Sequence, residues 1–130
     1  MAQVNIDKIV PAIVLADTTI AGLIGTRLTP MVITDDTSFP AMTYQRVSSP
    51  EHHDIDFAYP RYQFNSYAET YGAVVELAIA VKELWQRYKG VFNNVKIKQG
   101  VYLDETQANR GKDGLWTIQT DIKIIYYKIT

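Results

Sequence analysis

The side chains that most often do chemistry are few in this chain and poorly spaced for it. Its only histidines are His52 and His53, flanked by Glu51, Asp54 and Asp56. Neighbours in an extended segment point to opposite sides, so this group reads as a solvated acidic loop rather than a metal site. There is no cysteine, which excludes a thiolate nucleophile, a redox pair, a disulfide and every Cys-based zinc site. No serine sits in a Gly-x-Ser-x-Gly elbow. Gly111-Lys112-Asp113-Gly114 holds a Gly-Lys pair but lacks the upstream glycine and following Ser/Thr of a phosphate loop, and reads as a turn. Asp35-Asp36 and Asp104-Glu105 are paired acids in loops, where adjacency sets no catalytic separation. Lys96 and Lys98 share a strand face with Tyr102, the alternation of a solvated face rather than a nucleic-acid stripe. The expectation is no enzyme, no metal and no cofactor.

Composition agrees with a folded domain. The chain has 130 residues, 47% apolar and 21% charged, which suits a single α+β domain over 1–130 and excludes disorder of the whole. Thirteen basic against fourteen acidic residues give a net charge of −1, which excludes a broadly basic nucleic-acid binder. The run Ile9 to Ala16 is far below the roughly 20 residues that cross a bilayer, and Asp7 beside Lys8 does not make a signal-peptide n-region. It is expected to be an amphipathic helix.

The elements that would position any site follow from periodicity. Residues 4–16 predict a helix with Asn5 as N-cap and Ile6, Ile9, Val10, Ile13 and Val14 on one face, provided it begins or kinks near Pro11. Asp17 and Thr18 offer a second cap for a short helix over 19–24, closed by Gly25. Residues 26–40 predict a loop. Strands are expected at 41–48 and 59–67, antiparallel to each other, with Tyr62, Phe64 and Ser66 opposite in direction to Arg61, Gln63, Asn65 and Tyr67. A helix over 70–89 is capped by Thr70 and stopped by Gly90. Strands at 95–103 and 115–128 flank a long hairpin loop at 104–114. The sum is an α+β fold: a four-stranded, mostly antiparallel sheet with one long helix on a face, preceded by one or two N-terminal helices.

One stretch breaks its own pattern. Along the last strand Trp116, Ile118, Thr120, Ile122, Ile124 and Tyr126 mark the core face, yet Ile125 and Tyr127 are apolar on the other. Both faces of that strand end want burial, either beneath the first helices or against a neighbouring subunit. Ile125 and Tyr127, and with them Tyr67 of the strand at 59–67, are the candidate subunit interface. His52, His53, Asp54, Arg110 and Lys112, in the polar loops, are candidates for contacts with other proteins.

The assembly itself is suggested by a resemblance. Leu23-Ile24-Gly25-Thr26-Arg27-Leu28, followed by Phe39-Pro40-Ala41-Met42-Thr43-Tyr44-Gln45-Arg46-Val47-Ser48, is similar to the tail completion, tail terminator or tail-to-head joining proteins of tailed bacteriophages. The similarity runs on through 61–67, 70–88 and Asp113-Gly114-Leu115-Trp116 into the final strand, and so covers nearly the whole chain. Val91 to Asn94 and the loop at 51–57 follow no pattern of that family. What the resemblance implies is a virion protein, resident in the tail or neck after assembly in the host cytoplasm. It would form a ring of itself, six-fold, at the head-proximal end of the tail. Its partners would be the tail tube protein and a head-closure or neck protein, and DNA would pass through without sequence-specific binding. A near-neutral domain suits such a pore, because dense Lys/Arg would grip phosphates. Two alternatives stay open, a head-closure or neck connector subunit and an unrelated α+β module. Arg27, Gln45 and Arg46 carry the resemblance without an assigned chemistry.

Overall fold

The structure is a computed structural model and describes residues 4–33, 37–50 and 56–129. Its elements run α1 (Ile6–Ala16), α2 (Thr18–Ile24), β1 (Leu28–Pro30), β2 (Ala41–Ser48), β3 (Phe57–Ala58), β4 (Arg61–Ala68), α3 (Tyr71–Trp85), β5 (Gly90–Phe92), β6 (Val95–Glu105), β7 (Asn109–Arg110) and β8 (Trp116–Tyr127). The class is α+β, but the sheet has eight strands among the described residues rather than four, in the order β1-β2-β4-β8-β6-β5, with β3 and β7 also on β8.

β8 is the spine of this sheet. On one side it pairs with β4 from Trp116 to Lys123 and with β3 at Tyr126 and Tyr127. On the other it pairs with β6 from Thr120 to Tyr126 and with β7 at Trp116 and Thr117. The expected four long strands are present as β2, β4, β8 and β6, antiparallel to one another wherever they pair. The additional strands are two or three residues long, too short to leave a periodic trace. Thus the expected 26–40 loop contains β1, parallel to β2, and the expected hairpin loop is shortened by the end of β6 and by β7.

All three helices cover one face of the sheet. Ile6, Val10, Ile13 and Val14 of α1, Ile20 and Ile24 of α2, and Leu77, Ala80, Val81 and Trp85 of α3 form a single core with Tyr62, Phe64, Ile122, Ile124 and Tyr126. Trp85 is fully buried, with ring centroids 5.9 Å from Phe64 and 5.4 Å from Tyr88. Asp17 caps α2 by accepting the Ile20 N–H at 3.0 Å, and Gly25 closes it at φ 62°. Thr70 caps α3 through the Ala73 N–H at 3.2 Å, whereas Asn5 stands at the N-cap of α1 without a side-chain cap bond. Pro11 lies inside α1 rather than at its start.

Gly90 is not the stop of α3. The helix ends at Trp85, Arg87 turns the chain at φ 65°, and Gly90 opens β5. Gly100 makes that early stop workable. Its N–H donates to the Tyr88 carbonyl at 2.7 Å and its carbonyl accepts from the Arg87 N–H at 3.1 Å, so the residues after the helix are tied to β6.

Candidate functional site

The face of the sheet turned away from the helices is the surface on which the strand alternation places the candidate interface residues. Opposite Tyr126 and Ile124, which are buried under the helices, Ile125 and Tyr127 are half-buried on this second face. The N-terminal helices therefore do not cover them. What Tyr127 meets instead is Phe57 of β3, its register partner, with ring centroids 4.6 Å apart. Ile125 stands opposite Gln99 of β6.

Tyr67 is not part of the same patch. It pairs with Thr117 at the far end of β8, ten residues from Tyr127, or roughly 33 Å along the strand. Between them lies a polar ladder. Gln45 Nε2 donates to Gln63 Oε1 at 3.4 Å, Gln63 Nε2 donates to Asp121 Oδ1 at 3.4 Å, and Arg61 reaches Asp121 at 3.7 Å. Thr43 and Asn65, also on this face, are buried and joined at 3.3 Å.

Around Tyr127 the charge is positive. Lys96 lies 5.0 Å from the Tyr127 ring centroid and Lys98 lies 4.5 Å from that of Phe57, contacts in which ammonium groups sit over ring faces. With Lys89 and Val91 they line a groove of about 280 Å³. Tyr102 does not share that face. Bulges between Ile97 and Gln99 and between Tyr102 and Asp104 shift the register, Tyr102 pairs with Ile122, and Lys82 of α3 covers its ring at 4.6 Å. Burial and the nearby Glu105 and Asp104 carboxylates raise the Tyr102 phenol above its ordinary range.

Among the loop candidates, Arg110 is an exposed residue of β7 whose Nε donates to the Gly114 carbonyl at 3.3 Å, and Lys112 is exposed in the turn that follows. His52, His53 and Asp54 lie outside the described residues, as do Asp35 and Asp36.

A second cluster had no sequence signal, because its members are far apart in the chain. Tyr62 donates to Asp7 Oδ1, and Arg46 Nη1 is 3.2 Å from Asp7 Oδ2. These groups, with Tyr44, Met31 and Val47, line an open groove of about 530 Å³. Burial, then the bond to Asp7, pushes the Tyr62 phenol well above its ordinary range. The cluster binds α1 to the sheet, and its one carboxylate is committed to two partners. Arg27 is equally structural: its Nε donates to the Pro40 carbonyl at 2.9 Å and its Nη2 to the Leu23 carbonyl at 3.3 Å, tying the end of α2 to the start of β2. Among the described residues no three His, Cys, Asp or Glu side chains converge as a metal site, and no helix is long and apolar enough to cross a membrane.

No protein-family model matches the sequence, and no curated protein matches it either. Among solved structures, the fold is similar to a chain of the virion of a native gene transfer agent particle. The TM-score is 0.71 at 14% identity, over 89% of this chain and 90% of that one. The likeness therefore spans the whole arrangement of helices and sheet rather than a shared core fragment.

Proposed function

We propose that this chain is a structural subunit of a phage-type virion, forming a ring, six-fold, at the head-proximal end of the tail, where it ends tube growth and joins tail to head. The observation that carries the reading is the near end-to-end similarity in fold to a chain of a gene transfer agent virion. The family resemblance of the sequence is what points to the head-proximal end of the tail. The helix-free face supports a role in assembly, since it keeps Ile125, Tyr127 and Phe57 half-buried with no helix over them. A head-to-tail contact repeated around an axis closes a ring without leaving either surface free. In this reading Ile125 and Tyr127 lie in the contact between subunits, and Arg110 and Lys112 reach toward the layers above or below.

The test is the morphology, by negative-stain electron microscopy, of particles made without the gene. Overlong or irregular tails detached from heads are expected. Normal tails beside emptied heads would move the role to head closure, and intact infectious particles would overturn the proposal.

A further inference from the structure

The β6 strand is electrically polarised along its length. Its first half carries Lys96 and Lys98, both exposed, with Lys89 beside them on the same groove. Its last two residues are Asp104 and Glu105, both exposed. Eight residues separate Lys96 from Asp104, or roughly 26 Å of strand. Among the described residues, none of the three lysines has a carboxylate within ion-pair distance, and neither Asp104 nor Glu105 has a lysine or arginine.

The acidic end also carries an internal conflict. Asp104 stands directly opposite Asp121 in the β6–β8 register, an arrangement that costs free energy when like charges face each other across strands. Arg61 attends Asp121 at 3.7 Å, which leaves Asp104 with the repulsion and no cation. Each charged end also has an aliphatic side chain beside it: Val91, register partner of Lys96, is 67% exposed, and Leu103, next to Asp104, is 39% exposed. One end is thus apolar and basic, the other apolar and acidic.

From this complementarity we infer that the partner of the Lys89–Lys96–Lys98 end is a second copy of this chain, presenting its Leu103–Asp104–Glu105 end. The inference rests on the ring reading above and specifies its contact. The two surfaces are different and lie at opposite ends of one strand, so the contact is heterologous and propagates from copy to copy, as closure of a ring requires. A lysine cluster meeting a carboxylate cluster also fixes register and rejects the wrong pairing, since basic-to-basic and acidic-to-acidic approaches repel.

Charge reversal tests it. Sedimentation velocity over a concentration series would compare the wild-type chain with Lys96→Glu/Lys98→Glu, with Asp104→Lys/Glu105→Lys, and with the quadruple variant, each checked for folding by circular dichroism. Each double variant is expected to lose at least about tenfold in apparent association constant. The quadruple variant, and an equimolar mixture of the two doubles, are expected to recover it. Carbodiimide treatment of the wild type should yield intermolecular cross-links from Lys96 or Lys98 to Asp104 or Glu105. If the doubles assemble like the wild type, or the quadruple fails to recover, this contact is wrong while the ring reading stands. If the wild-type chain remains monomeric throughout and gives no cross-link, both the contact and ring formation by free subunits are overturned.

Discussion

Tyr62 donates its phenolic hydrogen to Asp7, a residue 55 positions away, and this bond joins the first turn of α1 to the middle of the sheet. Tyr62 is buried, and its phenol is held well above its ordinary range by that burial and by the Asp7 carboxylate. A raised folded-state pKa means that the unfolded chain gives up this proton first. The stabilisation is therefore complete below the ordinary tyrosine value of about 10 and falls as pH rises beyond it. Urea unfolding at neutral pH and above pH 10 should show a loss of stability at the higher pH, and Tyr62→Phe should make that loss smaller. At neutral pH the same substitution should cost about 1.5–3 kcal/mol, the range of a hydrogen bond to a charged group. A pH dependence unchanged in the variant would contradict the assignment.

Gly100 is required by close packing rather than by its backbone angle. A Cβ placed there would lie 2.3 Å from the carbonyl oxygen of Trp85, at the point where α3 ends against β6. Gly100→Ala must push the helix end away from the strand, and should destabilise by about 1–3 kcal/mol as overpacked sites do. A denaturation midpoint equal to that of the wild type would show that the helix end yields freely.

Thr120 offers the opposite outcome. Its hydroxyl is fully buried on the core face of β8 and, among the described residues, has no hydrogen-bond partner. Thr120→Val keeps the branched shape and removes the unpaired polar atom, so it is expected to stabilise the fold by about 1 kcal/mol. Thermal unfolding would register the gain, and a marked loss would reveal that the hydroxyl is satisfied.

Ile125→Ser/Tyr127→Ser should leave the fold intact and weaken self-association. Both side chains lie on the face without helices and are half-buried, so their removal opens no cavity beneath α1, α2 or α3. Circular dichroism should be unchanged while the sedimentation coefficient falls. Unfolding of the variant would show instead that these side chains belong to the core.

Much of this architecture is legible in the sequence wherever the pattern is long. β2 and the short helix between Asp17 and Gly25 follow directly from β-propensity and capping, because local chemistry decides them. The break in alternation at Ile125 and Tyr127 likewise marks a strand end that wants cover on both faces, although only the structure shows that the second face lies away from the helices. What the sequence conceals is set by tertiary pairing. The three residues of β1 are a strand because β2 lies beside them, and Gly90 is claimed by β5 after α3 ends early against Gly100. From the sequence, the charge separation along β6 reads as two unrelated features, a lysine face and an acidic loop. They form one strand only once its pairing extends to Glu105. Tyr67 illustrates the limit of alternation: it lies on the same face as Tyr127 but at the other end of β8.

The most direct test of the central proposal is a reconstruction, by electron cryomicroscopy, of the head–tail junction of particles that carry this gene. One ring of six copies of this fold is expected between the tube and the head, with the β6 lysines of each copy facing Asp104 and Glu105 of the next. Density for this fold elsewhere in the particle, or its absence from purified virions, would contradict it.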